Sequence, residues 1–181
     1  MRHLFTVEEY HRIGEAGLLA PDQRVELLRG EIIEGTPIGS GHASTVDRLT
    51  RLLVLATGDR AVVRVQGPVQ LSELSEPQPD LALLRPRSDF YQASHPGPAD
   101  VFLLVEVADT TRRWDRTVKR PLYAGAGIPE VWIVDLAARV VEVCVDPAPE
   151  GYRQVRQVPP GASVSPVAFA DLAVAVADIL G

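Results

Sequence analysis

Two carboxylates in this chain sit against apolar runs that read as β-strands. Asp80 opens Pro79-Asp80-Leu81-Ala82-Leu83-Leu84, and Glu106 lies inside Val101-Phe102-Leu103-Leu104-Val105-Glu106-Val107-Ala108. An ionised carboxylate in such a run is costly to bury unless it is paired or bound to a cation. Lys119 follows on a segment that reads as a helix. Two acids and a lysine are the minimum set for metal-assisted phosphodiester hydrolysis: the acids hold a divalent cation, and the lysine stabilises charge or helps position a water. Mg²⁺ wants oxygen ligands, so Asp80 and Glu106 suit it if their strands are neighbours, and the Val107 carbonyl offers a further ligand. Strand alternation puts Leu104, Glu106 and Ala108 on one face and Val105 and Val107 on the other. Glu106 thus replaces an apolar residue. It is either a metal ligand or a structural acid paired with an arginine or lysine.

The helix after Glu106 carries two rows. Asp115, Lys119 and Tyr123 recur at i, i+4 and i+8, which offers a lysine with an acid to hold it. Arg112, Arg116 and Arg120 form a second row that could meet a phosphodiester backbone. The competing reading is a solvated face with an Asp115–Lys119 surface pair, worth about 0.3–0.5 kcal/mol. Pro121 lacks a backbone donor and is expected to kink the helix, which leaves the direction of Lys119 open. Glu26 reads as a metal ligand, a group behind the ligands, or a strand-surface charge, and the pattern alone favours the last. His42, at a helix start, reads as a helix-terminus or packing residue. Gln66 and Gln70 are polar strand positions that could line a site. Trp114, Tyr123 and Trp132 read as core or interface residues. Cys144 lies in an apolar strand without a nearby histidine, which argues against a thiol nucleophile. No Gly-x-Ser-x-Gly elbow and no zinc-type His/Cys spacing is present.

The elements that must position these groups follow from patterning. Thr6-Val7-Glu8-Glu9 is a capping box, opening a helix that should run to about residue 16 and stop at Gly17. Segments 24–28 and 31–34 alternate about Arg29-Gly30 as a hairpin. A second helix should cover 42–56, with Val46, Leu49, Leu53 and Leu55 on one side. Strands are expected over 62–66 and 69–71, broken by Gly67-Pro68, then over 80–84 and 101–108. A helix over 115–126 should end at Gly127-Ile128-Pro129. Strands over 130–134, 140–145 and 152–158 and a helix near 172–180 complete the chain. This order implies an α+β or α/β fold with one mixed sheet, not a regular βαβ series. No glycine-rich phosphate loop is present, which argues against nucleotide-dependent chemistry.

The chain of 181 residues fits a single domain spanning 1–181, and its 46% apolar and 23% charged residues suit a globular protein. No apolar stretch approaches the roughly 18 residues that span a bilayer, and the N-terminus lacks the apolar core of a signal peptide. The one cysteine excludes an internal disulfide and fits a reducing cytoplasm. The net charge of −6 argues mildly against binding nucleic acid without sequence preference, so any basic face must be local.

The series Arg24-Val25-Glu26-Leu27-Leu28-Arg29-Gly30-Glu31-Ile32, His42, Pro79-Asp80-Leu81-Ala82, Leu104-Val105-Glu106-Val107-Ala108, Asp115-Arg116 with Lys119, and Tyr123-Ala124-Gly125-Ala126-Gly127-Ile128-Pro129-Glu130-Val131-Trp132-Ile133-Val134-Asp135 resembles the Uma2 family of the PD-(D/E)XK nuclease superfamily. The resemblance covers nearly the whole chain. It implies a restriction-endonuclease-like mixed sheet flanked by helices, with the metal site at the sheet edge. Asp80 and Glu106 match the family's metal-binding acids. The superfamily's usual lysine position, two residues after the glutamate, is Ala108 here, and Lys119 matches the lysine displaced to the following helix. Glu26 and His42 match motif positions. The departures are Pro121, Trp114 where a tyrosine is common, and Ala108-Asp109-Thr110-Thr111 where a Ser/Pro-rich stretch is usual. The resemblance implies a Mg²⁺-dependent (or Mn²⁺-dependent) DNA endonuclease in which Asp80, Glu106, Lys119 and Glu26 form the catalytic set and Asp115 or Tyr123 orients Lys119. A homodimer is expected for duplex cutting, with 131–134 and 140–145 as interface strands. The rival readings are a nuclease-fold binding module without turnover, and a hydrolase of another phosphate ester. Two observations separate them: whether Lys119 reaches the Asp80–Glu106 pair, and how wide the cavity around it is.

Overall fold

The computed structural model describes residues 2–20, 23–109 and 112–181. The chain opens with helix α1 (Val7–Glu15), started by the expected capping box: Glu9 N–H donates to Thr6 Oγ1, and Thr6 N–H donates to Glu9 Oε2. Strands β1 (Val25–Leu28) and β2 (Glu31–Glu34) form the expected hairpin. Its two-residue turn has φ of 52° at Arg29 and 79° at Gly30, the positive pair that matches strand twist. A side chain at Gly30 would meet Leu4 Cβ at 2.6 Å, so glycine is needed there for space as well as for φ. Helix α2 (Ser40–Thr57) follows.

The main sheet is built from β3 (Val62–Val65), β4 (Leu81–Leu84), β5 (Val101–Ala108), β6 (Glu130–Asp135), β7 (Val140–Ala148) and β8 (Gly151–Val158), in that spatial order. Only β5 and β6 pair in parallel; the other neighbours are antiparallel. A parallel pair needs a long crossover. Here it is the helical segment of α3 (Arg112–Trp114), a π-helical stretch Asp115–Lys119, and α4 (Arg120–Gly125). A small ladder of β9 (Ser163–Val164) with β10 (Val174–Ala175) leads into α5 (Val176–Leu180). The result is an α+β fold with a mixed six-stranded sheet flanked by helices.

Alternation along the strands divides the core in two. Leu81, Leu83, Val105, Val107, Trp132 and Val134 face α2 and α5, packing with Val46, Leu49, Leu53 and Ile179. Ala82, Leu84, Leu104, Ala108, Val131 and Ile133 pack on the other face with Tyr123. Each leucine so buried contributes about 1.5–3 kcal/mol. Glu106 belongs by alternation to the second face, beside Tyr123.

Several expectations are corrected. The stretch 69–71 is not a strand: β3 ends at Val65, and Gln66 turns the chain with a φ of 47°. Leu55 does not join the packed face of α2, being 71% exposed. The C-terminal helix is shorter than expected because 174–175 pair with β9. Residues 131–134 and 140–145 are not an outer interface. Each of these strands has a strand on both sides, and nearly all their side chains are buried within one chain. Among the described residues no helix is long and apolar enough to cross a membrane.

Candidate active site

The antiparallel register of β4 and β5 pairs Leu81 with Val105, so Asp80 lies one step beyond, level with Glu106. Both acids are buried and line one cavity of about 550 Å³. Asp80 is held from three sides. The amide of Val107 donates to its Oδ2 at 2.8 Å, His42 Nε2–H donates to the same oxygen at 3.0 Å, and Gln66 Nε2 donates to Oδ1 at 3.3 Å. His42 comes from the first turn of α2, and Gln66 is aimed by the positive-φ turn after β3.

Lys119 arrives from the crossover helix. A proline at 121 cannot donate, and its ring clashes with the preceding turn of a regular α-helix. The chain accommodates it by widening that turn: Arg120 N–H donates to the carbonyl of Asp115, five residues back, and Pro121 falls in the first turn of α4. Asp115, Lys119 and Tyr123 consequently all face inward, with exposures of 4%, 6% and 0%. The solvated-face reading of this row is excluded by that burial. Lys119 Nζ donates to Glu106 Oε1 at 3.2 Å and to Glu26 Oε1 at 2.9 Å. Tyr123 O–H donates to the same Glu106 oxygen at 2.5 Å. Glu26 is therefore no strand-surface charge; it reaches from β1 across to Lys119. Lys119 is thus held by Glu26 and Glu106, with Asp115, one of the two groups expected to orient it, close enough to favour its charge.

The electrostatics follow from burial and from an excess of acid. Burial opposes ionisation of Asp80, but His42, the Val107 amide and Gln66 outweigh it and hold its carboxyl below the ordinary range. Burial pushes Glu106 well above its ordinary range; Lys119 pulls against this, while Asp115, Asp80 and Glu26 add to it. Burial also disfavours the Lys119 charge, but Glu106, Glu26 and Asp115 more than reverse this, so the ammonium keeps its proton. One cation shared by two carboxylates cannot neutralise both, and the surplus adds to the effect of burial on Glu106. Burial likewise raises the Tyr123 phenol, reinforced by Glu106 and Glu26, which keeps it a donor.

The donor set fits a hard divalent cation. Six carboxylates (Glu26, Glu34, Asp80, Glu106, Asp109, Asp115) line the cavity against two basic side chains, Arg24 and Lys119. Oxygen-rich, acid-dominated pockets suit Mg²⁺ or Mn²⁺. Each carboxylate has about four lone-pair sites, so the hydrogen bonds above leave capacity for a metal.

Among the described residues of the second helix row, Arg116 and Arg120 do not line the cavity. Arg116 Nη2 lies 3.0 Å from Asp135 and 3.3 Å from Glu142, and Arg120 Nη1 lies 2.6 Å from Glu142. These two arginines neutralise acids on β6 and β7 instead of waiting for phosphate. The side chain of Arg112, and Thr110-Thr111, lie outside the described residues. Trp114, read as a core or interface residue, is 37% exposed and lines the cavity; Trp132 is fully buried. Burial, with Glu142 nearby, pushes the Cys144 thiol up to about 12, which suits a structural role. Sequence reasoning missed the His42–Asp80 contact and undervalued Gln66. Both depend on which helix start and which turn the sheet brings to the end of β4.

A crystal structure described as a "putative nuclease belonging to DUF820", from Anabaena variabilis, superposes with a TM-score of 0.73 at 15% identity, covering 97% of each chain; at that identity it shows a shared fold. No curated protein matches the chain. A family model, "Uma2: Putative restriction endonuclease", matches residues 7–177, nearly the whole chain, and the protein therefore belongs to the Uma2 family.

Proposed function

We propose that this protein is a metal-dependent endonuclease that hydrolyses DNA phosphodiester bonds in the Asp80–Glu106 cavity. The observation that carries the reading is the convergence of two buried acids from adjacent strands with a buried lysine ammonium 3.2 Å from one of them. Asp80 and Glu106, with the Val107 carbonyl, would hold Mg²⁺ or Mn²⁺. When bound, such an ion activates a water and offsets charge on the phosphate. The chain's own groups do the rest. His42, Gln66 and the Val107 amide fix the Asp80 carboxylate, and Tyr123 fixes Glu106. Lys119, kept protonated and oriented by Glu26, stabilises charge developing on the phosphoryl oxygens; it is a poor general base because its proton is held so firmly. A cation held by Asp80 and Glu106, together with Lys119, would compensate the acidity of the chain locally. For duplex cleavage the protein would act as a homodimer in the cytoplasm, with one cavity per strand.

The test is plasmid, linear duplex and single-stranded DNA incubated with Mg²⁺ or Mn²⁺, comparing the wild type with Asp80→Asn and Lys119→Met. Metal-dependent cleavage by the wild type alone supports the reading; equal cleavage by all three proteins overturns it. A second reading, hydrolysis of a smaller phosphate ester, is favoured by the cavity's 550 Å³, within the roughly 300–1,000 Å³ of small-ligand sites. Turnover of a simple phosphodiester but of no DNA substrate would select it.

A further inference from the structure

The structure assigns a second cation site, built from His11, Glu76 and His95, which we propose binds Zn²⁺ or a similar borderline transition metal and clips α1 to the chain segment that leads into Asp80. The three side chains come from α1, from the residue bridged to β1, and from the loop before β5. One ligand atom from each lies within 4.8 Å of the other two. His11 Nε2 is 2.8 Å from Glu76 Oε1. The His11 and His95 rings meet edge to face with centroids 6.0 Å apart. All three line a second cavity, which is separate from that of Asp80 and Glu106.

The independent sign of a ligand is Glu76. Its side chain is only 2% exposed, and its Oε2 has no hydrogen-bond partner among the described residues. A buried carboxyl oxygen without a partner has lost its hydration with nothing in return. A cation between the two imidazoles would make good that loss. Two nitrogens and one oxygen are the donor set of a three-ligand zinc site, with water in the fourth position, whereas Mg²⁺ prefers oxygen alone. Ligand atoms around tetrahedral Zn²⁺ stand roughly 3.4 Å apart, given bonds of about 2.1 Å. The His11 side chain is 42% exposed and His95 is also exposed, so both can make the small adjustment required.

The position gives the site a consequence. Glu76 N–H donates to the Leu27 carbonyl of β1, and four residues later the chain reaches Asp80. Between them Gln78 donates to the Val25 carbonyl and lines both cavities. Tyr10, next to His11, donates to that same carbonyl. An ion on His11, Glu76 and His95 would therefore tie α1 to the strand carrying Glu26 and to the segment carrying Asp80.

The test uses the full chain bearing Asp80→Ala, so that the first cavity cannot confuse the count. Zn²⁺ is titrated calorimetrically, Co²⁺ is followed by visible absorption, and thermal unfolding is measured with and without Zn²⁺. The expected result is one Zn²⁺ per chain, a tetrahedral Co²⁺ spectrum and a raised Tm. Adding His95→Ala, on an exposed loop, should weaken binding by more than the roughly 10–100-fold typical of losing an outer partner, and abolish the Tm rise. His11→Ala, checked for folding by circular dichroism, should do the same. No stoichiometric Zn²⁺ binding to the Asp80→Ala protein, or unchanged binding after His95→Ala, would overturn the assignment.

Discussion

Lys119 Nζ lies 3.2 Å from Glu106 Oε1, and both groups are buried although a strand end and a change of helix type separate them. Replacing the lysine should therefore hurt stability as well as catalysis. In Lys119→Met, Glu106 and Glu26 would face each other without a cation, a loss of roughly 3–5 kcal/mol for breaking a buried pair. Glu106 already holds its proton above the ordinary range, so between its unfolded and folded pKa the native state binds more protons and stability falls as pH rises. The lysine-free protein should show this more strongly. Urea unfolding in chelator at pH 5 and pH 8 should give a larger penalty at pH 8; a penalty independent of pH would contradict this account of the pair.

Tyr123→Phe removes only the hydroxyl that donates to Glu106. The ring stays packed from α4 against the sheet, so unfolding free energy should fall by about 1.5–3 kcal/mol, the range for a hydrogen bond to a charged group. Cleavage rate should fall roughly 10–100-fold, as for other groups that orient a metal ligand. His42→Ala should behave similarly through Asp80. Full activity in both variants would show that orienting the two acids does not matter.

Arg116 and Arg120 are bonded to Asp135 and Glu142, so they should not count among the DNA contacts. Arg120→Gln should cost about 1–3 kcal/mol of stability by leaving Glu142 short of a partner. The salt dependence of DNA binding should be unchanged. A slope reduced by about one in a log–log plot would place this arginine on a phosphate after all.

Cys144 is buried, and its thiol is pushed up to about 12. Native protein treated with iodoacetamide at neutral pH should remain unlabelled by mass spectrometry, and label should appear only on unfolding. Rapid labelling of the folded protein would mean that β7 opens easily at this position.

The acids of the site were legible because burial makes them conspicuous. Asp80 at a strand start and Glu106 inside an apolar run stand out by cost alone, and the Arg29-Gly30 turn announced the hairpin that carries Glu26. What was not legible depends on long-range registry. Nothing near His42 says that its imidazole will end beside Asp80, 38 residues later in the chain. The arginine row has the right spacing for a nucleic-acid face, but the partners of Arg116 and Arg120 sit on β6 and β7, and only the sheet order brings them under the helix. Pro121 suggested a kink, and the structure answers with a π turn that keeps Lys119 on the inner face. The His11–Glu76–His95 cluster has no sequence signature, because its histidines stand far apart in the chain and meet only when α1 docks.

The measurement that bears most directly on the central claim is Mg²⁺ binding by calorimetry, with DNA cleavage followed in the same samples, for the wild type and Asp80→Ala. The account expects the wild type to bind Mg²⁺ and to nick DNA only when it is bound, and the variant to lose both. Cleavage that survives in the variant, or that proceeds in chelator, would contradict it.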